Sequence, residues 1–191
     1  NHTFRRKEAY EYIDESPFVA RPANFPEKTT PGTGIINIDT GRRIISVINV
    51  MGNMCMDNNL NCAFETVDKM LEKAEGKIKI VDFHAETTSE KRAMGYYLDG
   101  RASVVFGTHT HVQTSDCQIL PKGTGYITDV GMTGTIHSVL GVKTEIIIEK
   151  LKTKLPARFD LASGECKMEC SLFDVDEKTG LCISAESLRI E

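Results

Sequence analysis

The sequence predicts an α/β fold with a second, antiparallel sheet in its C-terminal tail. Three observations predict it: short apolar runs suited to buried strands alternate with helical segments, three of those runs end in polar residues, and the tail reads as strands punctuated by glycine turns.

Residues 3–15 alternate charge with Phe4, Tyr10, Tyr12 and Ile13, a short helix that Pro17 and Pro22 end. Residues 21–34, rich in Pro, Gly, Thr and Asn, carry turn chemistry. Strands are expected at 34–38 and 43–50, joined through Asp39-Thr40-Gly41 as a hairpin. After the polar stretch 51–61, Phe64, Val67, Met70, Leu71 and Ala74 recur at three- and four-residue steps, which predicts a helix ending near Gly76. Residues 78–83 form a buried strand running into His84-Ala85-Glu86, and Thr87 with Glu90 make a capping box for a helix to about Tyr97. The run 102–106 ends in Gly107-Thr108-His109-Thr110-His111, and 125–128 ends in Asp129 and Gly131. Polar residues released at such strand ends are where open α/β sheets place their sites. A helix over 144–151 precedes tail strands at 155–161, 165–175 and 181–189. No internal repeat or linker divides the chain, so residues 1–191 read as part of one domain.

Composition limits the partners. Twenty-three basic against 27 acidic residues give a net charge of -4, so no bulk positive field recruits a nucleic-acid duplex or an anionic membrane. The longest apolar runs fall far short of the roughly 20 residues that cross a bilayer. Six cysteines (Cys55, Cys62, Cys117, Cys166, Cys170 and Cys182) show no Cys-x-x-Cys spacing and read as free thiols of a reducing cytoplasm. Cys166 and Cys170 would share one face of a strand. The chain opens on Asn1-His2 without an initiator Met, and we expect a fragment whose exposed sheet edge could pair copies of the chain.

Of five histidines, His84, His109 and His111 stand at the ends of predicted strands. His109 and His111 alternate along an extended segment and so project together, about 7 Å apart at their Cα atoms. Such a pair can hold two cations about 3.5–4 Å apart, or it can be a pair of surface histidines. His84 on its own suits a structural hydrogen bond as well as a ligand.

Five segments carry a resemblance: Arg21-Pro22-Ala23-Asn24-Phe25-Pro26, Asp82-Phe83-His84-Ala85-Glu86 through Ser89-Glu90-Lys91, Asp99-Gly100-Arg101-Ala102-Ser103, Gly107-Thr108-His109-Thr110-His111-Val112-Gln113-Thr114, and Tyr126-Ile127-Thr128-Asp129-Val130-Gly131-Met132-Thr133-Gly134. The sequence resembles the calcineurin-like metallophosphoesterases, and among them the bacterial YmdB-like 2',3'-cyclic-nucleotide 2'-phosphodiesterases, over essentially its whole length. Asn1-His2 looks like a Gly-Asn-His motif cut after its glycine. The resemblance implies a two-sheet sandwich flanked by helices and lacking its first strands. It implies that Asn1, His84 and His109 bind one divalent metal ion, His111 binds the other, and His2 acts as general acid. Iron or manganese suits the amide and imidazole ligands, with zinc also compatible. The implied substrate is a small cyclic nucleotide, cleaved at the 2'-oxygen to leave a 3'-phosphate.

Charge adds an expectation of its own. Asn1, His84, His109 and His111 are neutral, and two neighbouring dications need anionic ligands. The family places an aspartate and a bridging glutamate upstream of the Asn-His motif, whereas Asp82, Glu86 and Asp129 read as structural carboxylates. The chain as written is therefore expected to hold half a site, with weak or no activity. Two alternatives accompany the dinuclear enzyme: a non-catalytic nucleotide- or metal-binding remnant, and a mononuclear hydrolase using His84, His109 and His111.

Overall fold

In the computed structural model, which describes residues 2–56 and 59–191, the apolar runs become neighbouring strands of a six-stranded sheet ordered β1-β2-β3-β4-β6-β5. Here β1 is Ile35–Asp39, β2 Ile44–Met51, β3 Ile78–His84, β4 Val104–Thr108, β5 Gln118–Ile119 and β6 Gly125–Ile127. β2, β3, β4 and β6 are parallel, while β1 and β5 close the two edges antiparallel. The β1–β2 turn is the expected hairpin, with Gly41 N–H donating to Asp39 Oδ1 at 2.7 Å.

Four helices accompany the strands among the described residues: α1 (Glu8–Glu15), α2 (Ala63–Glu72), α3 (Thr88–Tyr97) and α4 (Thr144–Thr153). α2 lies against β2 and α3 against β4. Their apolar faces and both central strands build one core, in which Ile48, Val50, Val67, Val81, Phe83, Met94, Leu98 and Tyr126 are essentially without exposure. Burial of this kind contributes about 1.5–3 kcal/mol for each large apolar side chain, and it fixes the parallel register. Met51, His84 and Thr108 thereby stand level at the C-terminal ends of β2, β3 and β4.

The second sheet has the order β7-β8-β9 and is antiparallel throughout, with β7 Thr133–Thr135, β8 Cys166–Val175 and β9 Cys182–Ile190. It packs on the first where Gly125 of β6 approaches the Phe173 ring and Cys182 Sγ so closely that a Cβ there would lie 2.7 and 2.8 Å from them. All six cysteines are free thiols.

Two local expectations fail. Residues 155–161 form no strand; only Leu161 bridges, to Val142. Pro156 withholds a ladder donor there, and the third strand of the second sheet is the short β7 instead. The capping box is not formed either. Among the described residues Thr87 makes no side-chain cap hydrogen bond, and the Glu90 carboxylate accepts the backbone N–H of Asn53 at 3.0 Å and of Met54 at 3.4 Å. Glu90 thus ties α3 to the loop after β2 rather than to its own N-terminus.

Candidate active site

His84 is the last residue of β3, and the register delivers Thr108, the last residue of β4, directly beside it. His84 Nδ1 lies 3.0 Å from Thr108 Oγ1. The Thr108 hydroxyl donates to Asp82 Oδ1 at 2.8 Å, and Asn49 Nδ2 donates to Asp82 Oδ2 at 2.6 Å. One residue beyond Thr108, His109 turns its ring to His84: the centroids are 4.8 Å apart, the planes meet at 74°, and His109 Nδ1 is 3.2 Å from His84 Nε2. On its far side, His109 Nε2 meets Glu86 Oε2 at 3.0 Å.

This pair suits a shared cation. Imidazole nitrogens about 2.0–2.1 Å from one metal are about 2.8–3.4 Å apart for angles at the metal between octahedral and tetrahedral, and the observed 3.2 Å falls inside that range. Burial, assisted by nearby positive charge including Lys91 and His109, holds the His84 imidazole down at about 4. It is therefore neutral at pH 7, the form that ligates metal. Burial has the opposite effect on the neighbouring carboxyl, raising that of Asp82 against the hydrogen bonds from Thr108 and Asn49. Among the described residues no three His, Cys, Asp or Glu side chains converge to enclose an ion. His84 and His109 stand as a pair rather than as a closed ligand set.

His109 and His111 do not lie on the extended segment expected but on a strained loop. His109 has φ 109° and His111 φ 63°, values that non-glycine residues adopt at a cost of order 1–3 kcal/mol each and that cluster at functional sites. Surrounding bonds over-determine the loop. Asp129 Oδ2 accepts the Thr110 N–H at 3.0 Å, between the two histidines, and Asp129 Oδ1 accepts the Gly131 N–H at 3.0 Å. Asp129 is neutralised by Lys91 at 2.7 Å, with both side chains 1% exposed. Val130 N–H donates to Gly107 O at 3.0 Å, and a Cβ on Gly107 would lie 1.7 Å from Thr128 O, so only glycine lets β4 end this close to β6.

The other expected site residues are placed less closely. His2 is exposed, with its carbonyl accepting the Arg5 N–H at 3.1 Å. Phe4, two residues on, lines one cavity together with Arg21, Asn49 and His84. His111 is exposed on the His109 loop. Asn1 lies outside the described residues. Glu86, read from the sequence as structural, stands against His109. Its position immediately beyond the strand-end His84-Ala85 was the available signal.

Known proteins resemble this chain over its whole length. A family model described as YmdB-like protein matches residues 1–188. A Bacillus subtilis (strain 168) protein named 2',3'-cyclic-nucleotide 2'-phosphodiesterase is 46% identical over 192 residues, covering 100% of this chain and 72% of that protein. A crystal structure of a hypothetical protein from Thermus thermophilus superposes with a TM-score of 0.92 at 39% identity, covering 100% of this chain and 73% of the other. A phosphatase structure from Mycoplasma pneumoniae gives 0.91 at 32% identity, covering 100% of this chain and 69% of that one.

Proposed function

This chain belongs to the YmdB-like protein family, an enzyme family of metallophosphoesterase-type fold, and on that premise we propose that it hydrolyses 2',3'-cyclic nucleotides or related small phosphodiesters at a dinuclear metal site. The observation that supports this reading above all is the 3.2 Å approach of His84 Nε2 to His109 Nδ1 at the end of two parallel strands. In this reading Asn1, His84 and His109 hold one divalent cation and His111 the other, with iron or manganese preferred and zinc compatible. Bound by these residues, such cations would supply Lewis acidity to the phosphodiester and a nucleophile at neutral pH.

The chain's own residues orient and protonate. The hydrogen bonds of Asp129 to Thr110 and Gly131 keep His109 and His111 in their strained conformations, which fixes where the phosphoryl group is held. His2, as an imidazolium, gives its proton to the departing 2'-oxygen, leaving a 3'-phosphate. The substrate carried over from the Bacillus relative is a small molecule, and no helix among the described residues is long and apolar enough to cross a membrane. Work in the cytoplasm and self-association belong to the same proposal.

The test is to load the purified chain with Mn2+ and follow hydrolysis of 2',3'-cyclic AMP by resolving 3'-AMP from 2'-AMP. We expect weak Mn2+ binding and a slow yield of the 3'-phosphate, as half a site should give, both lost in His84→Ala. Metal binding without turnover would instead favour the non-catalytic reading, to which the all-neutral set Asn1, His84, His109 and His111 lends weight. One ion per chain with turnover would favour the mononuclear one.

A further inference from the structure

We propose that Glu86 and the Thr108–Asp82 pair are positioning residues that fix the tautomers of His109 and His84, so that both imidazoles turn an unprotonated nitrogen to the same cation. The inference rests on the metal-site reading above and adds to it the groups that prepare the ligands.

A neutral imidazole carries one N–H and one lone pair, and only the lone pair binds a cation. Which nitrogen keeps the hydrogen is decided by what the other side of the ring meets. For His109 that partner is Glu86 Oε2, 3.0 Å from Nε2. A carboxylate only accepts, so Nε2 carries the hydrogen and Nδ1 the lone pair. For His84 the partner is Thr108 Oγ1, 3.0 Å from Nδ1. The single Thr108 hydroxyl hydrogen goes to Asp82 Oδ1 at 2.8 Å, and Asn49 holds the other Asp82 oxygen at 2.6 Å. The Thr108 oxygen is thereby left as an acceptor, so His84 Nδ1 carries the hydrogen and Nε2 the lone pair. Two lone pairs then face each other across 3.2 Å. That arrangement repels unless a cation sits between them, and the hydrogen bonds on both far sides hold it in place.

Both arms are anchored to the ends of β3 and β4. The Glu86 arm leaves the short segment after β3, where Ala85 N–H donates to Thr108 O at 3.3 Å. The Thr108–Asp82 arm lies across the β3–β4 ladder itself. Asp82 also faces Asn49, across from it in β2.

The experiment measures Mn2+ dissociation constants by titration calorimetry on the whole chain and on five variants, with circular dichroism to establish that each is folded. Glu86→Ala and Thr108→Val remove the acceptors and should each weaken binding about 10–100-fold, the usual cost of losing a partner of a metal-bound histidine. Glu86→Gln and Thr108→Ser keep an acceptor at the same place and should bind close to the unaltered chain. If Glu86→Gln loses as much as Glu86→Ala, Glu86 acts by charge alone and the tautomer assignment is wrong. Unchanged affinity in Glu86→Ala and Thr108→Val overturns it also. Should the unaltered chain bind no Mn2+, and His84→Ala behave identically, the metal-site reading fails and takes this inference with it.

Discussion

Lys91 Nζ meets Asp129 Oδ2 at 2.7 Å with both side chains 1% exposed, and the same oxygen receives the Thr110 N–H between His109 and His111. A charge pair on α3 and the end of β6 thus governs the loop that carries two candidate ligands. Replacing one partner of a buried pair leaves the other charged and unsolvated, at about 3–5 kcal/mol. Lys91→Met should lower stability by that amount, read as a drop in the urea midpoint at unchanged slope. Lys91→Met combined with Asp129→Asn should recover part of it. Equal midpoints for Lys91→Met and the unaltered chain would show that the pair adds nothing to the fold.

Gly107→Ala tests whether the close end of β4 matters to the site. The added Cβ would lie 1.7 Å from Thr128 O and 3.1 Å from Lys91 Cδ, so β4 and β6 must part just before His109. We expect a loss of order 1–3 kcal/mol, in the range of overpacked cores, together with weakened Mn2+ binding as His109 leaves His84. Mn2+ affinity measured beside the urea midpoint separates the two effects. Unchanged affinity would mean that the loop adjusts independently of the strand end.

Much of the site was legible because it depends on strand ends. The apolar runs before His84 and His109 mark β3 and β4, and parallel register brings the two histidines together. Individual carboxylates were harder to assign, because their roles are set by tertiary neighbours. Glu90 stands three residues after Thr87, as a capping box requires, yet Asn53 and Met54 hold its carboxylate. Asp129 is the structural carboxylate it read as, binding the backbone between His109 and His111, whereas Glu86, read the same way, stands against His109. The strain at His109 and His111 has no sequence signature, since histidine seldom adopts positive φ. The short β7, only three residues long, owes its existence to pairing with β8 and shows no period of its own.

Asp116 sets part of the acid limit of stability. Burial is the largest single influence and raises its pKa, but the Thr128 and Thr114 hydroxyls, the Thr128 N–H and Arg92 together outweigh it, and the carboxyl ends below its ordinary value. A carboxyl lowered in the folded state contributes stability that is complete above its unfolded pKa, about 3.9. That contribution is lost as pH falls through the folded value, because the unfolded chain then binds the extra proton. Urea midpoints measured from pH 7 downward should therefore fall below about pH 4, and Asp116→Asn should flatten that fall while lowering the plateau. An acid limb of the same steepness in both proteins would assign the loss to other carboxylates.

The roles proposed for His2 and His84 separate cleanly in a pair of variants. A general acid contributes about 10²–10⁴-fold to the rate without holding the metal. His2→Ala should therefore lower turnover of 2',3'-cyclic AMP by that factor with Mn2+ content unchanged. The loss should be smaller for a substrate analogue whose leaving group needs no proton, such as a p-nitrophenyl phosphodiester. His84→Ala should behave differently, because its imidazole faces His109 at 3.2 Å and both nitrogens of the pair are needed to hold one ion. Metal content and turnover should fall together for every substrate, and added Mn2+ should no longer raise the melting temperature. In the unaltered chain that rise corresponds to about 2.7 kcal/mol at a Mn2+ concentration 100 times its dissociation constant. Loss of metal from His2→Ala with retention in His84→Ala would exchange the two roles, making His2 the ligand and His84 a structural histidine at the end of β3.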